Sequence, residues 1–349
     1  MTTNIKSLLQ SVSESLLPAA EDLAALLSVE SAEGLKEIYD FADKVRRQYT
    51  GDGIFLRGII EFSSHCDNSC SYCGLNKQNT NLTRYRMTKE EVIAGVAHMQ
   101  SCGIKTVVLQ SGEESGLDAD WLAGLISEIK STFNTAITLS VGEKPREDYL
   151  LWKKSGADRY LLKIETTNKY IYQGLHPGMS FENRLRCLTD LKELGYQVGS
   201  GIIVGLKGQT NDMLAGDIIF FKQHDFDMIG IGPFIPHACT ALGAEGSGSS
   251  VMTLKMLALT RIVTKNTNLP ATTALGSLNG SDYRLDGLRS GANVLMPNFT
   301  PAPYRKQYEI YPGKRCVDEP AGACGLCMES MAGALGRVID YSKGERATA

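Results

Sequence analysis

Apolar residues recur every three or four positions through the first fifty residues, and then the rhythm changes. Leu8, Leu9, Val12, Leu16 and Leu17 fall at helical spacing. A second segment opens at Ser28-Val29-Glu30, and a third spans 35–49 and ends in the basic turn of Lys44, Arg46 and Arg47. This predicts a helical cap over 1–52 with no chemistry of its own. From residue 54, short apolar runs alternate with amphipathic ones. Strands are expected at 55–62, 105–110, 136–141, 158–164, 197–204, 227–232, 270–274 and 293–297. The helices between them are expected from Thr88, then near 118–132, 146–155, 180–194, 211–223, 252–266 and 283–290. Thr88 followed by Glu91 reads as a capping box, and Ser180 with Glu182 marks another helix start.

Eight strand–helix alternations predict an α/β fold, a (βα)8 TIM-type barrel over 53–300. A doubly wound open sheet gives the same alternation, and periodicity alone does not separate the two. Residues 301–349 form a C-terminal extension of the same unit, in which 329–341 read as a helix closing the far side of the barrel. Barrels of this kind gather their functional groups at the C-terminal strand ends. Those ends are polar here: Gln110, Ser111, Gly112 and Glu113; Thr138, Ser140, Gly142 and Glu143; Lys163 and Glu165; Thr272 and Thr273; Met296 and Asn298. A glycine or one inward threonine at a strand end has ordinary structural explanations. Glu113 and Glu165 are harder to dismiss, because buried charge is costly without a partner.

Composition narrows the function. The 349 residues are 43% hydrophobic, ample for a core, and 36 basic against 39 acidic residues leave a net charge of −3 with no long basic run. Nucleic-acid binding therefore has no electrostatic support. The first residues lack the charged-then-apolar plan of a signal peptide, and no apolar run approaches a membrane span. Nine cysteines fall as 66/70/73 and 316/324/327, with 102, 187 and 239 scattered. That distribution favours metal ligation in a reducing cytoplasm over a disulfide framework. The scattered three read as small buried hydrophobes.

The chemistry concentrates in Cys66-Asp67-Asn68-Ser69-Cys70-Ser71-Tyr72-Cys73-Gly74, a CX3CX2C spacing directly after the first expected strand. Thiolates bind soft metals and iron–sulfur clusters. Three on one loop suffice for three irons of a cubane and leave the fourth open, as catalytic zinc keeps a position unfilled. A zinc knot is the alternative; it needs a fourth ligand, for which His65 stands adjacent. With Tyr72 before the last cysteine, the motif resembles the signature of radical S-adenosylmethionine (SAM) enzymes.

That resemblance implies a full radical SAM barrel and a 4Fe-4S cluster on Cys66, Cys70 and Cys73. SAM would chelate the open iron and be cleaved to a 5′-deoxyadenosyl radical. The SAM-binding set it implies is Ser111-Gly112-Glu113 for the amino group, with Gln110 and Ser140 nearby, and the Tyr72 carbonyl for the adenine. Glu165 is implied for ribose or amino group and Arg184 for the carboxylate. The 201–205 glycine-rich strand and the backbone at Ile231 would border the nucleoside. A solvated helix arginine is the alternative reading of Arg184.

Longer stretches extend the likeness to the HydE family of radical SAM maturases of FeFe-hydrogenase. They are Ile60-Glu61-Phe62-Ser63, Arg84-Tyr85-Arg86-Met87-Thr88, Ser180-Phe181-Glu182-Asn183-Arg184 and segments 110–113, 157–162, 230–237, 270–274, 291–294 and 311–314. This likeness implies radical attack on the sulfur of an iron–cysteine species bearing CO and cyanide. The implied substrate cavity comprises Arg57, Thr138, Thr272, Thr273 and Tyr308, with Met296 as an apolar wall. The implied partners are an electron donor such as ferredoxin or flavodoxin and other hydrogenase maturases. One departure stands out. The family reads Arg-His-Glu-Thr where this chain has Lys163-Ile164-Glu165-Thr166. Ile164 in place of an imidazole removes a donor and acceptor from the expected cavity. That leaves open a HydE-like enzyme with a different small, anionic or amino-acid-like substrate, akin to methylornithine synthase or biotin synthase. A non-catalytic iron–sulfur scaffold is a third reading, against which the polar strand ends speak. Cys316, Cys324 and Cys327 resemble the spacing of an auxiliary cluster, 2Fe-2S or 4Fe-4S, found in some HydE proteins; zinc or bare thiols are the alternatives.

Overall fold

The computed structural model describes residues 5–315, 317 and 324–348. Three helices come first: α1 Ile5–Glu14, α2 Ala20–Leu27 and α3 Ala32–Thr50. The Ser31 hydroxyl accepts from Gly34 N to start α3, and Gly51 at φ 67 ends it. The strand β1 Gly53–Leu56 and β2 Gly58–Ser63 then form a single stave broken at Arg57, where one strand over 55–62 was expected. There follow α4 Lys89–Ser101, β3 Thr106–Ser111, α5 Ala119–Thr132, β4 Ala136–Ser140, α6 Arg146–Lys154, β5 Arg159–Leu161, α7 Lys169–Leu175, α8 Phe181–Glu193 and β6 Gln197–Val204. The chain continues through α9 Asn211–His224, β7 Met228–Pro233, α10 Ser250–Thr264, α11 Arg284–Arg289, β8 Val294–Leu295, α12 Ala302–Arg305, α13 Cys324–Gly333 and β9 Val338–Asp340. The capping box at Thr88 and Glu91 forms with both of its hydrogen bonds. The helix α7 was not expected; it is short and rests on Asn168, whose side chain accepts from Ile171 N.

Strands β2 to β7 pair in chain order, all parallel, and β8, β1 and β9 form a second parallel set. Isolated bridges close the ring: Met228 to Asn268, Pro270 to Val294 and Ile59 to Asn298. The chain is therefore a closed barrel, not an open doubly wound sheet. The expected strand at 270–274 is reduced to these bridges, since Pro270 has no N–H to donate to a ladder. The strand expected at 158–164 is also short. After Leu161 the backbone rejoins β6 only at Glu165, which bridges Ile202 from a left-handed conformation (φ 63).

The staves alternate as a period of two requires. Ile60 and Phe62 face the helices and belong to the main core, whereas Ile59 and Glu61 face the lumen. The cap joins that same core: α3 lies on α10, and α2 on α9. The extension departs from expectation. The helix read over 329–341 stops at Gly333. Gly336 turns the chain at φ 62, and β9 pairs parallel with β1. The tail, not a helix, then seals the N-terminal mouth of the barrel. Thr106 Oγ1 and Arg159 Nη2 donate to the Lys343 carbonyl at 2.8 and 2.9 Å, and Arg159 pairs with Glu345 at 2.9 Å. The lumen is left open toward the C-terminal strand ends. Among the described residues, no helix is long and apolar enough to cross a membrane.

Candidate active site

The loop after β2 is held from all sides by backbone hydrogen bonds. Gly112 N donates to Ser63 O at 3.1 Å, Asp67 N to Glu113 O at 2.8 Å, Ser71 N to Leu175 O at 2.8 Å and Gly74 N to Ile310 O at 2.9 Å. The Arg84 guanidinium stitches the loop by donating to the carbonyls of Ser64, Leu75 and Asn76. Two glycines allow the close approach. A Cβ on Gly112 would stand 2.2 Å from His65 O, and one on Gly74 would stand 2.1 Å from Glu309 O.

Cys66, Cys70 and Cys73 are free, half-buried and line one cavity. Burial raises all three thiols, Cys73 to about 12, and the Cys70 thiol is further raised by the other two sulfurs. Metal ligation relieves that cost by replacing protons with a cation. Among the described residues, no three His, Cys, Asp or Glu side chains are gathered tightly enough for a single ion. Tetrahedral zinc needs four ligands within about 2.0–2.3 Å of one point. A cubane, which takes one thiolate per iron and so spreads its ligands, fits the donor set.

The same cavity is lined by Tyr72, Gln110, Gly112, Glu113, Ser140, Glu165 and Arg184, which the structure brings together from four staves and α8. Glu113 is held above the usual carboxylate range by burial, with Arg184 opposing the shift, and its Oε2 accepts from Glu143 N at 2.9 Å. Arg184 is not a solvated helix arginine. It is buried, its Nε donates to Glu143 Oε1 at 2.5 Å, and its Nη1 donates to the Lys163 carbonyl. Glu165 faces the Lys163 ammonium at 2.7 Å and accepts from the Tyr72 hydroxyl at 3.3 Å. Ile231 turns its side chain into the core and its carbonyl accepts from Thr272 Oγ1 at 3.2 Å, and the backbone runs on from it into the cavity wall at Gly232, Pro233, Phe234 and Ile235.

A second cavity lies deeper in the lumen and shares Gln110, Leu161, Lys163, Gly232, Ala274 and Tyr311 with the first. Thr272, Thr273 and Met296 line it, together with Glu61, Met228, Arg284, Lys314 and Arg315. The Tyr311 hydroxyl donates to Thr273 Oγ1 at 2.8 Å, and Lys314 forms a buried ion pair with Glu61. Four expected cavity residues lie elsewhere. Ile164 is fully buried in the main core, because the strand period turns Lys163 and Glu165 inward and residue 164 outward. Arg57 and Thr138 line a separate small cavity near the sealed mouth, below Met228, where Arg57 Nη1 lies 2.8 Å from Met228 Sδ. Tyr308 is buried beneath the Lys314 ammonium, 5.1 Å from its ring centre, and does not line the lumen. In the second cysteine triad, Cys316 lies outside the described residues, Cys324 begins α13, and Cys327 is exposed and borders the deeper cavity.

Sequence reasoning named Lys163 only as a polar strand end and missed His176, Glu61 and Lys314. Glu61 had a signal: an acidic residue in an apolar strand demands a partner. His176 had none. It sits on the loop after the unexpected α7, where burial disfavours the charged form of its ring.

Asp217 on α9 fastens the loop beyond Glu165, accepting from Thr167 N at 2.7 Å and Thr167 Oγ1 at 2.6 Å. Its other oxygen is buried and has no partner among the described residues. Burial pushes the carboxyl from 3.8 up to about 6. The folded state thus holds this proton more tightly than the unfolded chain does. The stabilisation is fully present below the unfolded value and is lost as pH rises through the folded one. Asp217→Asn should therefore be more stable than the parent in mildly alkaline buffer, by about 3 kcal/mol, and alike in acid. Equal melting in both buffers would contradict this.

Residues 60–220 match the Radical SAM superfamily model. The [FeFe] hydrogenase maturase subunit HydE of Thermotoga maritima is 50% identical over 317 residues, 91% of this chain and 90% of that protein. The 3-methylornithine synthase of Methanosarcina acetivorans is 31% identical over 277 residues, 79% and 78% of the two chains. Among solved structures, methylornithine synthase (PylB) superposes with a TM-score of 0.83 at 28% identity, covering 95% of this chain and 97% of that one. HydG, a maturase of the [FeFe]-hydrogenase, reaches a TM-score of 0.83 at 19% identity, with 98% and 77% covered, a likeness of fold alone.

Proposed function

The chain belongs to the HydE family of the radical SAM superfamily, and on that footing we propose that it is a maturase of FeFe-hydrogenase acting on a small organometallic iron–cysteine substrate. The family implies a 4Fe-4S cluster and SAM; Cys66, Cys70 and Cys73 are the residues that would hold the cluster. When bound, it supplies the electron that splits the C–S bond of SAM into methionine and a 5′-deoxyadenosyl radical.

The chain's own residues bind, orient and shield. Glu113, fixed by the Glu143 amide, would meet the amino group of SAM, and Arg184, held by Glu143, its carboxylate. Tyr72 and Glu165 border the nucleoside. The observation that carries the substrate assignment is the shared wall between the two cavities. A radical formed in the outer cavity meets the contents of the inner one without crossing solvent. The inner cavity offers the ammonium groups of Lys163 and Lys314 and the hydroxyls of Thr272 and Thr273 to an anionic, cyanide-bearing ligand set, and Met228, Leu295 and Met296 to its apolar side. The proposed step is addition of the radical carbon to the cysteine sulfur, which forms one C–S bond, the unpaired electron passing to the substrate iron and reducing it by one. Ile164, which pointed to another substrate class, does not reach this cavity.

An electron donor such as ferredoxin or flavodoxin is required by the one-electron cleavage. The second triad is proposed to hold an auxiliary cluster at the border marked by Cys327. Iron retained by a Cys66→Ala variant and lost on adding Cys327→Ala would support that, and no retained iron would sink it. The whole reading is tested by replacing HydE with this protein in a cell-free maturation of apo-hydrogenase. Hydrogen evolution together with 5′-deoxyadenosine is expected. Nucleoside cleavage without maturation would assign the barrel to another small substrate.

A further inference from the structure

One buried ring beside the cysteine loop has no part in the steps above. His176 is 2% exposed, and its Nδ1 lies 3.3 Å from Cys70 Sγ. The ring is wedged edge-on to Tyr72 at 5.5 Å and tilted against Tyr172 at 4.6 Å. Its backbone is fixed as well, with His176 N donating to Tyr172 O at 2.9 Å. The carbonyls of Gly174 and Leu175, just before it, accept from Ser71 Oγ and Ser71 N at 2.7 and 2.8 Å. The cysteine loop and the imidazole are therefore locked to each other.

We propose that His176 donates its Nδ1–H to the iron-bound thiolate of Cys70 and thereby raises the reduction potential of the cluster. The inference rests on the reading that this loop carries the cluster. Two tautomers are available to an uncharged imidazole, and a charged ring would donate from both nitrogens. With the proton on Nε2, a buried N–H would have no acceptor, since Nε2 has no partner among the described residues, and a nitrogen lone pair would face an anionic sulfur. With the proton on Nδ1, the sulfur gains a donor, and only an acceptor is left unpaired, the cheaper of the two orphans. A hydrogen bond to a ligating sulfur draws charge off it and favours the more negative, reduced cluster. His176 is thus a positioning residue that acts through Cys70.

The full-length, anaerobically reconstituted protein is titrated redox-metrically with EPR detection, as the parent, His176→Phe and His176→Asn. The phenylalanine keeps the ring and removes the donor. The asparagine places an amide N–H near the position of Nδ1. The expected result is about a tenfold lower ratio of reduced to oxidised cluster in His176→Phe at a fixed poise, or about 59 mV for one electron, with His176→Asn close to the parent. A phenylalanine variant that titrates with the parent, or an asparagine variant shifted as far as phenylalanine, overturns the proposal. Should His176→Phe hold no cluster, pulsed EPR of the reduced parent labelled with 15N at histidine Nδ1 decides. A coupled nitrogen is expected, and no coupling overturns the proposal. Unchanged potentials in proteins that still cleave SAM would sink this inference alone, whereas a parent that binds no cluster would sink it together with the reading it rests on.

Discussion

Cys66→Ala is expected to abolish reductive cleavage of SAM, with 5′-deoxyadenosine falling to background, while the barrel stays folded. The asymmetry follows from what the side chain does. Cys66 is half-buried, and losing one sulfur from the loop leaves a small void worth about 1 kcal/mol. The loop itself is held by the Asp67 and Gly112 amides and by Arg84, none of which involves the thiol. For a cluster the change is decisive. With three thiolates for three irons, the loss of one leaves two irons without a protein ligand. Circular dichroism should match the parent, iron bound by this loop should be lost, and nucleoside production should stop. Continued production at the parental rate would remove the cysteine loop from the reaction.

Arg184→Met is expected to cost about 3–5 kcal/mol of stability, because it strands a carboxylate that the arginine neutralises. The Arg184 and Glu143 side chains are 6% and 9% exposed and meet at 2.5 Å. Glu113 lies in the same charge field, and removing the guanidinium takes away the cation that opposes its rise. The variant should unfold at lower temperature and bind SAM at least about tenfold more weakly, a loss of roughly 1.4 kcal/mol, by calorimetry. Adding Glu143→Gln should restore most of the stability and little of the binding, because it removes the stranded charge without replacing the cation. A single variant as stable as the parent would show that the pair is not needed in the fold.

What was legible in the sequence was local. The CX3CX2C loop, the alternation of strand and helix and the Thr88 capping box each depend on residues a few positions apart, and each formed where it was read. What was not legible depended on distant partners or on depth. Lys314 finds Glu61 across most of the chain, and no local pattern links them. β9 exists because β1 offers an edge, so a run readable as helix beyond Gly333 became a strand. Residues 268–270 are a stave only through bridges to Met228 and Val294. Arg57 and Thr138 face the lumen as expected, but near the sealed end, below Met228. Their distance along the barrel axis, not their orientation, takes them away from the reacting groups. Ile164 shows the converse error. Its depth was right, and the period of two turned it outward.

The central claim is that three cysteines leave one iron of the cluster for the nucleoside. The direct measurement is pulsed electron–nuclear spectroscopy on the reduced, reconstituted protein, with SAM labelled at its amino nitrogen and carboxylate. The account predicts hyperfine coupling from both labels and a cluster signal that changes when SAM is added. A signal indifferent to SAM, with no coupling to either label, would mean a centre closed by protein ligands and would contradict the account.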